Sequence, residues 1–398
     1  MHQPFPRLKW DIFCNVIDNY GDIGVTWRLA RQLTHDHGQI VRLWVDDLSS
    51  FARLCPQLDA LAEQQDCAGV EVRLWDSDFP GAIIPADVVM DAFGCSLPES
   101  FIESMARQSP APCWINLEYL SAEDWVDCCH GMQSPHPRLA LTRHFFFPGF
   151  SDKTGGVIAE QGLLQAVEQW QSHPEEQAAF WQQRGIPPRQ SGELRVSLFA
   201  YENPAIGELL HYWSQGTQPV VCLVPEGRIL NNVSAGFAHR PLAAGDTLQQ
   251  GALSLYILPF SDQAAYDRLL WSCDVNFVRG EDSFMRAQLA GKPFVWHIYP
   301  QEDAAHWVKL DAFWQRYIQP LPASAASAIL ALNHAWNHGQ NITLAWQQFV
   351  AEKSCLDAFA PAWSQQLLAH GDLATRLLRF IHTQPAAELP DQNTGNVS

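Results

Sequence analysis

Charge is scarce in this 398-residue chain: 17% of residues are Asp, Glu, Lys or Arg, against 47% that are hydrophobic. The little there is leans one way, with 43 acidic residues to 25 basic and a formal net charge of −18. No cluster of Lys and Arg offsets it, so the surface disfavours nucleic acid and anionic membranes as partners. The ten cysteines include no C-x-x-C pair, and the 15 histidines include no H-E-x-x-H. The ligand spacings of common metal sites are therefore missing, and neither a metal nor another cofactor is expected. G-x-G-x-x-G and G-x-x-x-x-G-K-[ST] are absent too, which argues against a nicotinamide dehydrogenase and a P-loop NTPase. Lys153-Thr154-Gly155-Gly156 holds P-loop elements in reversed order and reads as a loop near a cleft. No apolar run approaches the ~20 residues of a membrane span. The opening residues show no basic head before an apolar stretch. The expectation is a cytoplasmic protein with reduced thiols.

Aromatic residues are plentiful instead: 16 Trp and 21 Phe, most of them destined for a core. The length suits two domains. Short apolar runs at Trp10–Cys14, Val41–Val45, Val70–Leu74, Ala86–Met90 and Cys113–Leu117 read as buried parallel strands. Helical stretches such as Val25–His35 and Pro98–Gln108 lie between them. Phe145–Gly156 interrupts the pattern, a polar helix is expected over Glu160–Arg184, and Gly185-Ile186-Pro187-Pro188 breaks the chain. Strands then resume at Leu194–Phe199, Pro219–Val224, Leu253–Leu258, Val275–Val278 and Phe294–His297. The fold class is α/β, with two doubly wound domains facing each other across a cleft. The expected divisions are 1–184, 185–361, a helix over 362–384 that packs back toward the first domain, and a frayed tail over 385–398.

In such sheets ligands sit beyond the carboxyl ends of the strands. Three turns there carry acids in the first domain: Asn15–Gly24 with Asp18 and Asp22, Asp91–Gly94, and Glu118-Tyr119. Asp91, Glu118 and Tyr119 are assigned to the acceptor side, and an acidic half-cleft suits a cationic ligand. The plain alternative for Asp22 is that it caps the helix after it. In the second domain, Arg279-Gly280-Glu281-Asp282-Ser283 joins a strand to a helix whose free amide groups suit a phosphate. Arg279 adds a charge-assisted contact, and Glu281 suits a ribose hydroxyl. The alternative is a capped helix with a surface Arg–Glu pair. Phe199, Tyr201 and Phe260 follow other strands of the same domain as candidates to stack on a base, with Gln263 reading its edge.

The string Asp11–Val25, together with Arg279–Phe284, closely resembles the bacterial protein-arginine rhamnosyltransferases that modify elongation factor P. The resemblance extends over nearly the whole chain, including Asn116–Tyr119, Phe146–Gly149, Lys153–Gly156 and Leu258–Gln263. It implies a GT-B fold of two Rossmann-like domains, with dTDP-β-L-rhamnose held by the second. It also implies inverting, metal-independent transfer of rhamnose onto one arginine of elongation factor P, which supports translation of polyproline stretches. On this likeness Asp22 is the catalytic base and Asp18 its neighbour. Phe199, Tyr201, Phe260, Gln263, Arg279, Glu281, Asp282 and Ser283 form the donor-binding set. The rival readings are a GT-B transferase acting on a small molecule or lipid, a sugar-nucleotide epimerase, and a non-catalytic binder of the translation factor.

Overall fold

The computed structural model describes residues 5–17, 20–76, 79 and 83–384, with the backbone alone at Glu302. Asp18 and the tail over 385–398 lie outside the described residues.

Two parallel-rich sheets organise the chain. The first contains β1 (Lys9–Cys14), β2 (Ile40–Val45), β3 (Gln64–Cys67), β4 (Val70–Leu74), β5 (Val88–Ala92), β6 (Cys113–Leu117), β7 (Gln133–Pro135) and β8 (Thr142–Phe146). Their order is β3-β4-β2-β1-β5-β6-β8-β7. The second contains β9 (Leu194–Leu198), β10 (Val220–Pro225), β11 (Thr247–Gln250), β12 (Leu253–Leu258), β13 (Val275–Arg279) and β14 (Phe294–His297), in the order β11-β12-β10-β9-β13-β14. β10 is apolar along its whole length, and β1 apart from Lys9 and Asp11, because helices cover both faces of a parallel sheet. The edge strands β3, β7 and β11 pair antiparallel and are largely polar, so they lack that signature and escape the sequence pattern.

Both sheets reverse their direction of winding beside the first strand. β1 pairs with β2 on one side and β5 on the other, and β9 pairs with β10 and β13 in the same way. These reversals open a crevice at the carboxyl ends of β1/β5 and of β9/β13. The turns after β1, β5, β9 and β13 emerge at one of them and the turn after β6 beside one, while the turn after β12 lies two strands from β9.

Two expected helices are each split. A break at His173-Pro174 separates Leu163–Ser172 from Pro174–Gln182, since proline has no N–H to continue the ladder. Lys353–Leu368 and Leu373–Thr383 are parted by Gly371, whose φ of +97° ends the first of them. The final helix buries Leu373, Ala374, Leu377, Leu378 and Ile381 in the core of the first sheet, while Trp363 and Leu367 of the preceding helix belong to the core of the second. Arg376 of the final helix donates to the carbonyls of Ser151 and Thr154, at 3.0 and 2.7 Å. The Lys153–Gly156 loop is thus pinned beneath that helix, with Thr154 buried, and does not line the crevice described next.

Candidate active site

β1 ends at Cys14, and the helix Gly21–His35 starts across the carboxyl edge. Asp22 lies in its first turn, 2% exposed. Its Oδ2 accepts from the backbone N–H of Ile17 at 2.9 Å and its Oδ1 from the hydroxyl of Tyr119 at 3.1 Å. Both partners lie outside the helix, and the N-cap residue, Tyr20, makes no side-chain capping bond. The carboxylate braces the turn against the loop after β6, which capping alone does not explain. Tyr119 in turn stacks on Phe93, ring centroids 4.4 Å apart. Phe93 holds a left-handed backbone, φ +58°, a costly conformation for a residue with a side chain. Lys309 Nζ stands 5.7 Å from the centroid of the Tyr119 ring.

Of the other acids expected on this wall, Glu118 is half-buried and burial raises its pKa, with Arg143 opposing. Asp91 requires a correction. β5 runs two residues further than expected, so Asp91 lies inside the strand, fully buried. It accepts from Trp114 Nε1 at 2.6 Å and faces Arg143 at 3.7 Å. Burial pushes it up to about 7, Glu118 adds to the rise, and Arg143 and Trp114 oppose it. It offers no exposed surface to a ligand.

On the facing wall, β13 ends at Arg279, and Gly280 turns the chain with φ +61° into the helix Asp282–Leu289. The backbone N–H of Arg279 donates to Ser283 Oγ at 3.1 Å, and the Ser283 hydroxyl donates back to the Arg279 carbonyl, which locks the turn. The Arg279 guanidinium lies 4.5 Å from the centroid of Phe199 and 4.8 Å from that of Tyr201. One of its terminal nitrogens is buried without a partner. A buried cationic donor with unused capacity beside a helix start is the combination that an anion requires. His297 lies behind Tyr201 at 5.3 Å; burial, aided by Arg279, lowers it to about 3 and keeps the ring neutral.

A cavity of about 630 Å³, counted to its open mouth, runs along this wall. All eight residues expected to bind a donor line it: Phe199, Tyr201, Phe260, Gln263, Arg279, Glu281, Asp282 and Ser283. Tyr20 and Gly21, next to Asp22, close it from the opposite half. Its mixture of aromatic rings with a few polar groups is the lining a nucleotide calls for.

Three of the eight are engaged differently from the sequence expectation. The Gln263 amide donates to the Gly24 carbonyl at 2.9 Å and accepts from Arg31 at 2.7 Å, so it joins the halves of the molecule. Asp282 accepts from Arg28 Nε at 2.6 Å. Glu281 Oε2 accepts from the backbone N–H of Leu120 at 3.0 Å, and so faces the acidic wall. Burial pushes Glu281 up to about 7; Lys309 and the Leu120 amide oppose this, while Asp22 and Asp282 add to it. Sequence reasoning missed Arg28, Tyr20, Phe93 and Lys309. Nothing short of the tertiary contacts singles them out, apart from the one-turn spacing of Gly24 and Arg28 on a helix face. Among the described residues, no three His, Cys, Asp or Glu side chains are grouped to hold a metal ion, and no helix is long and apolar enough to cross a membrane.

Residues 10–382 match the family described as elongation-factor P (EF-P) rhamnosyltransferase EarP. The chain belongs to this family. A protein-arginine rhamnosyltransferase of Pseudomonas putida is 49% identical over 374 residues, covering 94% of this chain and 98% of the relative. One of the same description from Neisseria meningitidis serogroup B is 36% identical over 388 residues, covering 94% and 97%. A solved structure, reported as the structural basis for EarP-mediated arginine glycosylation of translation elongation factor EF-P, is 36% identical. It superposes with a TM-score of 0.68, covering 95% of this chain and all of that one. Acinetobacter baumannii MurG, 12% identical with a TM-score of 0.50 over 95% of this chain and all of its own, shares the fold alone. The two facing doubly wound sheets are those of a GT-B glycosyltransferase.

Proposed function

We propose that this chain transfers rhamnose from dTDP-β-L-rhamnose to one arginine side chain of elongation factor P, with inversion at the anomeric carbon. The observation that carries this reading is the opposition of two walls in one cleft. Asp22 and Glu118 on the first wall, with Glu281 reaching toward them from the second, present carboxyl groups to an incoming guanidinium, while Arg279 and the start of the helix Asp282–Leu289 serve a departing diphosphate. Phe199, Tyr201 and Phe260 give the thymine ring an apolar slot.

The reaction is a single in-line displacement. An arginine nitrogen attacks the anomeric carbon, a C–N bond forms, and the bond to the diphosphate oxygen breaks with its electron pair leaving on dTDP. The transition state has oxocarbenium character, as in glycoside hydrolysis. Arginine holds its proton to a pKa above ~12, so no carboxylate removes it beforehand. The proton becomes acidic only as the C–N bond develops, and Asp22 then accepts it. The Tyr119 hydroxyl and the Ile17 amide fix the orientation of the Asp22 carboxylate for that transfer. The diphosphate is a good leaving group, and its developing charge is met by Arg279 and the helix amides. No metal or other cofactor is assigned a step. The acidic surface, −18 overall, suits a basic region of the acceptor, and the site of action is cytoplasmic, where the factor and the nucleotide sugar meet.

Incubation of the protein with elongation factor P and dTDP-rhamnose, followed by intact-mass and fragment analysis, tests this reading. One added deoxyhexose on an arginine is expected. Transfer to free arginine or to a lipid, with the factor untouched, contradicts it, as does binding of the factor with no donor turnover.

A further inference from the structure

The helix Gly21–His35 holds Asp22 at its start and, about 9 Å further along its axis, Arg28. Arg28 is 1% exposed, and its guanidinium is shared among three carboxylates. Nε meets Asp282 Oδ1 at 2.6 Å, the two terminal nitrogens each meet Asp267 at 3.0 Å, and one of them meets Glu160 at 3.4 Å. Asp267 and Asp282 belong to the half built on the second sheet. A charge so far from water is retained only when partners surround it in good geometry. The donors form a rigid fork, and a lysine ammonium cannot serve Asp282 and Asp267 in the same way.

The close approach has its own device. Gly24 lies one turn before Arg28, and a Cβ there would stand 3.4 Å from the Asp282 Cβ. The Gly24 carbonyl accepts from Gln263, and Arg31, nearly one turn after Arg28, donates to the same amide. Positions 24, 28 and 31 thus form a helix face committed to the other half of the molecule. Asp282, which Arg28 grips, is the first residue of the helix whose start makes the anion site with Arg279.

We propose that Arg28 is a positioning residue for the transfer: by holding Asp282 it sets the separation and angle between the helix that presents Asp22 and the helix start that receives the diphosphate. The Asp282 side chain is then a strut between the halves and not a contact to the donor. The inference rests on the cleft being the transfer site. An in-line displacement needs the attacking nitrogen, the anomeric carbon and the leaving oxygen aligned, and a misplacement of about 1 Å is enough to cost on the order of a hundredfold in rate.

The test uses Arg28→Gln and Asp282→Asn, singly and combined, in the full chain. Three quantities are read: dTDP affinity by calorimetry, kcat for transfer from dTDP-rhamnose to elongation factor P, and interdomain spacing by small-angle scattering. Each single substitution is expected to lower kcat at least about tenfold, broaden the spacing, and leave dTDP affinity within about threefold. The double variant is expected to lose no more than the worse single one, because both remove the same tie. Losses in kcat that multiply overturn the proposal. So does a loss of dTDP affinity of about tenfold or more in Asp282→Asn, whichever residue stands at 28. Should Arg28→Gln fail to fold, Asp282→Asn decides alone through dTDP affinity and spacing, since Arg28 keeps Asp267 and Glu160. A wild-type protein that binds dTDP but never modifies the factor counts against the functional reading, while the affinity and scattering results still judge Arg28.

Discussion

The hydroxyl of Tyr119, just beyond β6, and Oδ1 of Asp22, in the helix after β1, meet at 3.1 Å across the carboxyl edge of the first sheet. Two turns distant in sequence are thereby joined into one wall. A hydrogen bond to a charged group is worth about 1.5–3 kcal/mol. Tyr119→Phe keeps the stack on Phe93 and removes the hydroxyl that makes that bond. Turnover is expected to fall about tenfold or more, with dTDP affinity unchanged in calorimetry. An unchanged kcat would mean that Asp22 is oriented without Tyr119.

Arg279 carries the anion site. Its guanidinium is held against Phe199 and Tyr201 and retains an unpartnered terminal nitrogen. Arg279→Met keeps much of the packing and removes the charge-assisted contact. A ten- to hundredfold weaker affinity for dTDP is expected, consistent with about 1.5–3 kcal/mol. Affinity for thymidine, which has no phosphate, should change far less.

Asp91 makes the stability of the fold depend on pH. Its folded pKa of about 7 lies above the ordinary 3.8, so its favourable contribution is complete below pH ~4 and is lost as pH rises toward and through 7. The unfolding temperature of Asp91→Asn, relative to the native protein, should therefore climb between pH 4 and pH 8. Glu160 has the opposite sign. Burial alone would raise it, but Arg286 and Arg28 hold it well below the usual carboxylate range. Its contribution is present above pH ~4.5 and fades as the solution becomes more acid. Glu160→Gln is thus most damaging at neutral pH, where thermal melts will show it.

Burial pushes Glu281 up to about 7. A guanidinium entering beside it favours the ionised form. KM for elongation factor P should fall as pH rises from 6 to 8, and Glu281→Gln should flatten that profile. If the profile is unaltered in the variant, Glu281 does not face the acceptor.

Much of this arrangement was legible in the sequence because parallel strands buried on both faces announce themselves as apolar runs. The turns after β1, β9 and β13 follow from those runs, and with them Asp22, Tyr201 and Arg279. The antiparallel edge strands β3, β7 and β11 were not legible, since their polar residues answer only to a neighbour. Asp91 was misplaced for a related reason: one acid within an apolar run reads as the end of a strand, whereas Trp114 and Arg143 allow β5 to continue through it. The roles of Gln263 and Asp282 depend on Gly24, Arg28 and Arg31, more than 200 positions away, and no local pattern encodes such a pairing.

The central claim is that one carboxylate accepts the arginine's proton during transfer while the opposite wall holds the donor. Single-turnover rate measurement on Asp22→Asn, preloaded with dTDP-rhamnose and mixed with elongation factor P, tests it most directly. The account predicts native donor affinity with transfer slowed by at least about a hundredfold, the lower range of general-base contributions. Transfer at the native rate, or loss of donor binding in place of loss of rate, would contradict it.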